Sequence, residues 1–129
     1  MSVDASLYAA LMARVEEITD YPILWPQRGG DAPPVEHIRV SFLPNDNLPV
    51  DLCSNNFHRR GFLYLTLVSP LGEYEVVTRR KAGEIAALFP RALDLARDGV
   101  TVTIVGHSIR QGREYDGMWQ TPIRIEYRA

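Results

Sequence analysis

Between Met118 and Arg128 the side chains alternate with a period of two. Trp119, Thr121, Ile123, Ile125 and Tyr127 fall on one face, and Gln120, Arg124, Glu126 and Arg128 on the other. That period predicts a β-strand buried on one side. Residues 100–109 alternate in the same way, with Val100, Val102 and Ile104 set against Thr101 and Thr103. Only a turn or loop at Gln111–Gly117 separates the two runs. Strands joined without a helix can pair antiparallel through a short connection, whereas parallel partners need a long crossover. Two earlier runs add to this sheet: residues 36–43, with Ile38, Val40 and Phe42 opposite Arg39 and Ser41, and residues 61–69. In the latter, Leu63, Leu65 and Leu67 alternate with Phe62, Tyr64 and Thr66, so the second face is also too apolar for free solvent. This predicts a central strand covered on both sides, or one whose second face meets a neighbouring subunit.

Two segments carry a helical period instead. In residues 4–19, Leu7, Leu11, Val15 and Ile18 form a stripe that Tyr8 and Met12 widen, with Asp4 or Ser6 as a cap. The proline at 22 ends it, because the residue before a proline is pushed out of the α region. Residues 73–89 form the second helix, with Tyr74, Val77, Ile85 and Leu88 as the buried stripe, Arg79, Arg80 and Glu84 outward, and Pro90 as the stop. Ile23-Leu24-Trp25 reads as a short strand. Residues 91–98 fit either a short strand or one more helical turn, and Asp98-Gly99 marks a turn. The order of elements predicts an α+β fold: a mixed, mostly antiparallel sheet of four to six strands with two helices packed on one face, formed by residues 1–129 as a single domain.

Residues 44–60 have no period, although they join two clear strands. A hairpin needs a connection of about two to five residues, so this segment is a long loop or an extended hairpin arm. It carries Leu48, Val50, Leu52 and Phe57, which would make a sticky surface if left without a partner. Beside it stand Arg59 and Arg60, matched on the second helix by Arg79 and Arg80. These eight residues are the candidate contacts to another subunit or to an assembly partner. Of the 14 cationic residues only Lys81 is a lysine. Arginine suits bidentate ion pairs at interfaces, although a GC-rich genome gives the same bias.

Other function classes find little support. A net charge of −2 lacks the basic surplus of a sequence-independent nucleic-acid binder. No apolar run approaches the ~20 residues of a membrane span, and Met1-Ser2-Val3-Asp4 does not open like a signal peptide. The lone Cys53 excludes an internal disulfide and fits a reducing compartment. The expectation is a cytoplasmic protein.

Catalytic groups are sparse. His37, His58 and His107 have no metal-ligand spacing; His37 and His107 fall on or beside strands and read as hydrogen-bonded structural residues. Cys53 would need His58 as its base, and His58 could bind a metal with Asp46 or Asp51, but nothing selects either pairing. Glu114 and Asp116 read as a polar hairpin turn closed by Gly117. No cofactor, metal or catalytic site is expected, and surfaces for association remain.

Several blocks of residues point to a family. Pro22-Ile23, Trp25-Pro26 and Pro33-Pro34 are followed by Ile38-Arg39-Val40 with Leu43-Pro44, and by Gly61-Phe-Leu-Tyr-Leu-Thr-Leu-Val68. Ile85-Ala-Ala-Leu-Phe-Pro90 and Gly99-Val-Thr-Val-Thr-Ile104 come next, and Gly112–Ala129 closes the chain. In this order the blocks resemble the tail-terminator-like proteins of long-tailed bacteriophages and prophages. The resemblance covers most of residues 20–129 and is most specific in the C-terminal block; Arg91–Arg97 departs from it. It implies a structural, non-enzymatic virion tail protein that assembles in the host bacterial cytoplasm. Such a protein forms a homo-hexameric ring that caps the tail tube, stops its growth and offers a docking surface for head-tail joining. The implied partners are further copies of itself, the major tail-tube protein and a head-tail joining protein, with no membrane and no sequence-specific nucleic acid. A head-tail connector or neck protein, or a small enzyme, are the alternatives.

Overall fold

The computed structural model describes residues 3–25, 35–44, 48–49, 57–58 and 60–129. The first helix, α1 (Val3–Val15), buries Leu7, Ala10, Leu11 and Val15, and Ile18 in the turn beyond it is buried too. This is the stripe that the period predicted. Ser6 is buried within the helix rather than capping it. Strand β1 (Ile23–Leu24) follows, then β2 (His37–Pro44), the short pair β3 (Leu48–Pro49) and β4 (Phe57–His58), and the long β5 (Arg60–Pro70). Helix α2 (Glu75–Ala86) leads to β6 (Asp94–Arg97), β7 (Val100–Ile109), β8 (Arg113–Tyr115) and β9 (Met118–Arg128).

The main sheet runs β1-β2-β5-β9-β7-β6, with β8 also on β9, seven strands in all. That is more than the four to six expected. The additional strand is β8, which lies within the predicted turn; its three residues are too few to show a period. All pairings are antiparallel except β1 with β2. Segment 91–98 resolves as a strand, and Asp98 and Gly99 form its turn with φ of 50° and 80°.

Strand β5 lies between β2 and β9 and pairs with β9 along its whole length, from Arg60↔Arg128 to Pro70↔Met118. Leu63, Leu65 and Leu67 face the helices together with Ile38, Val40, Ile123, Ile125 and Tyr127, all buried. Burying each such side chain contributes about 1.5–3 kcal/mol. The second face of β5 is only partly covered: Thr66 and Val68 are buried, Phe62 and Tyr64 are half-buried, and among the described residues no helix packs on that side.

Helix α2 buries Thr78, Ala82, Ile85 and Ala86, and Phe89 just beyond it. Tyr74 does not belong to this stripe and is 82% exposed. It occupies the position before the helix with extended backbone (φ −69°, ψ 146°), where the helical phase does not apply.

Strand β7 contains an irregularity that sets both its ends. Ile104 pairs with Tyr127, but Gly106 pairs with Glu126, leaving Val105 as an extra residue. Such a bulge shifts the alternation by one. Val102 and Ile104 therefore face the core before it, and Ile109 packs against the core after it.

Candidate assembly surfaces

The structure separates the candidate contact residues. Leu48 and Phe57 lie on the short ladder Leu48↔His58, Pro49↔Phe57, just beyond the last β2–β5 pair, Pro44↔Gly61. Val50, Leu52 and Arg59 lie outside the described residues, as does Cys53. Arg60 opens β5, exposed and directly opposite Arg128. Arg79 and Arg80 are exposed on α2 at the other end of β5. With Glu75 and Val76 they line an open hollow of about 660 Å³, whose far wall is Gln111.

Gln111 also borders a groove on the outer face of the sheet, the face turned away from the helices. This groove, about 460 Å³, is lined by Arg39, Arg110, Arg113 and neighbouring polar side chains, and no acidic residue lines it. Strand alternation places Arg39 there, and Arg113 stands across from Gln120 in the β8–β9 pair. The Arg39 Nη2 group donates a 3.1 Å hydrogen bond to Gln120 Oε1. The Arg113 guanidinium lies 5.7 Å from the Tyr115 ring centroid, and Arg124, further along this face, lies 5.0 Å from that of Phe62. These cation–π contacts fix the guanidinium stems without neutralising them. Sequence reasoning had placed Arg39 and Arg124 on the outward face of their own strands. Only the pairing of the strands gathers these arginines on one surface.

One end of the helix layer carries the opposite charge, whereas the exposed Arg79 and Arg80 leave another part of α2 basic. Glu17, Asp20 and Glu84 border a small cleft between the end of α1 and α2, beside Tyr21. Next to it, Lys81 bonds both Glu36 (3.1 Å) and Glu73 (3.2 Å), and Arg14 bonds Glu17 (2.7 Å). Burial costs the Lys81 ammonium some affinity for its proton, but these two carboxylates outweigh it and its pKa is raised. The Tyr21 hydroxyl is also pushed up, first by burial and then by Glu36, with Glu84 and Asp20 adding to it.

Of the titratable groups that suggested chemistry, Asp46, Asp51 and Cys53 lie outside the described residues, and the others whose side chains are described are structural or exposed. Nδ1 of His37 lies 2.9 Å from the Val35 carbonyl oxygen, and Nδ1 of His107 lies 2.9 Å from that of Phe89; each ring donates to its carbonyl. Glu114 and Asp116 are exposed at the β8–β9 hairpin, where Asp116 and Gly117 have φ of 54° and 77°, as a two-residue turn requires. Among the described residues no three His, Cys, Asp or Glu side chains gather as metal ligands, and no helix is long and apolar enough to cross a membrane.

The scaffold is thus α+β and carries two charged surfaces of unlike sign. The family model for phage tail terminator proteins matches residues 6–127, and the chain belongs to that family. It is thus a structural protein of the phage tail. A solved structure is similar to it, at 25% identity over 99% of this chain and 95% of the other, with a TM-score of 0.73. No curated protein matches it.

Proposed function

We propose that this chain assembles as a homo-hexameric ring on the end of the tail tube, halts tube polymerisation and presents a docking surface for the head-tail joining protein. Assembly takes place in the cytoplasm of the bacterial host, and the ring remains in the virion tail. The observation that carries this reading is the family match, which runs through both helices and every strand of the main sheet. The charge distribution supports it. A ring is built from heterologous contacts, in which one patch meets a different patch on the next subunit, and the outer groove and the cleft between α1 and α2 differ in sign. The protein is read as non-catalytic, acting by binding alone.

The test is to add the purified protein to polymerising major tail-tube protein and to image the products by electron microscopy. The expected result is shorter tubes with a ring at one end. Tubes that grow to the same length with and without the protein, and bear no cap, would refute the proposal.

A further inference from the structure

We propose that the Arg39–Arg110–Arg113 groove of one copy faces the acidic cleft bordered by Glu17, Asp20 and Glu84 of a second copy, so that neighbouring subunits join head to tail through this charge pairing. The inference rests on the ring reading above and specifies which surfaces would form the subunit contact.

The first argument is charge left without a partner. None of the three groove arginines makes an ion pair with a described residue, and the groove wall is otherwise polar but neutral or aromatic: Ser41, Tyr64, Thr66, Gln111 and Gln120, with Pro122. Concentrating cations that way is costly unless something anionic completes the surface, and planar guanidinium forks select carboxylates or phosphates. The second argument is that this chain itself supplies the complement. Glu17, Asp20 and Glu84 converge on one cleft, and the nearby cations Arg14 and Lys81 are each already engaged, Arg14 with Glu17 and Lys81 with Glu36 and Glu73. Asp20 and Glu84 are exposed.

The third argument is geometric. The groove opens on the outer sheet face and the acidic cleft belongs to the helix layer, so one molecule cannot satisfy both. A contact between unlike surfaces of this kind propagates, and it closes into a ring when the rotation permits. The exposed Arg79 and Arg80 continue the basic surface past Gln111, widening the landing area at the groove's end.

Charge reversal tests this directly. One variant carries Arg110→Glu with Arg113→Glu, and a second carries Asp20→Arg with Glu84→Arg; circular dichroism and thermal melts establish that each is folded. Native mass spectrometry and light scattering then read assembly, alone and on tail tubes. Each variant alone is expected to associate on the order of 100-fold more weakly than the unchanged protein, because like charges meet across the contact. Mixed together, the two are expected to recover assembly as alternating copies, since the unchanged groove meets the unchanged acidic cleft at one contact and the reversed groove meets the reversed cleft at the next. Rings that persist in both variants would overturn the groove assignment while leaving the ring proposal intact. Unchanged protein that neither assembles nor caps tubes would sink both. Binding of a short DNA duplex that is lost with Arg110→Glu and Arg113→Glu, while rings survive, would instead assign the groove to a polyanion and overturn the proposal.

Discussion

Gly112 sits against the indole of Trp119 so closely that a β-carbon at position 112 would lie 2.6 Å from Nε1 and 2.8 Å from Cε2. Trp119 belongs to the core-facing row of β9, and Gly112 is the buried residue just before β8. The glycine is therefore required by space. Gly112→Ala should destabilise the protein by about 1–3 kcal/mol, because the indole must move from a packed position. Denaturant titration measures this. Combining it with Trp119→Phe, whose ring is smaller, should recover part of the loss relative to Trp119→Phe alone. A neutral Gly112→Ala would show that the indole shifts freely.

The bulge at Val105 gives a second prediction. Deleting Val105 removes the unpaired residue and makes the ladder continuous, and because Ile104 stays opposite Tyr127 and Ile109 opposite Ile123, both keep their core-facing side. The expected loss is therefore no more than about 1–3 kcal/mol, the range of an ordinary substitution, and denaturant titration measures it. Val105→Thr keeps the register and should change stability by no more than about 0.5 kcal/mol.

Tyr74 and Ile85 were expected to share a buried stripe, yet Tyr74 is 82% exposed and Ile85 is 3% exposed. Ile85→Ala should cost about 2–5 kcal/mol, whereas Tyr74→Ala should stay within about 0.5 kcal/mol. Thermal melts of the two variants at low protein concentration make the comparison.

Lys81 yields a pH dependence. Its pKa is raised above 10.5 in the folded state: burial works against the charge, but Glu36 and Glu73 outweigh it. A raised folded pKa contributes stability that is fully present below the unfolded value and lost as pH rises through the folded one. Lys81→Gln should therefore cost about 1 kcal/mol at neutral pH. The gap from the unchanged protein should narrow above pH 10.5. A gap that stays constant across that range would rule out the ionic origin.

Much of the fold was legible because strand and helix periods are local. The β9 boundaries, the α1 stripe and the Asp116-Gly117 turn follow from side-chain alternation and turn chemistry that neighbouring residues decide among themselves. β8 was missed because three residues carry no period, and Tyr74 was misplaced because helical phase was extended one residue past the helix. The candidate contacts fared differently. Arg60, Arg79 and Arg80 were visible as dibasic pairs, but Arg110 and Arg113 stood in a segment read as a loop, with nothing local to connect them to Arg39.

The amino-acid order determined on its own that a central strand is apolar on both faces, that an antiparallel sheet pairs with two helices, and that the chain resembles the tail-terminator family. Those conclusions rest on hydrophobic patterning and on blocks of contiguous residues. Tertiary structure alone decided that Arg39, Arg110 and Arg113 share a groove, and that Glu17, Asp20 and Glu84 border one cleft. Strand register and helix docking bring together groups that are tens of residues apart, and long-range charge proximity leaves no mark on a local period.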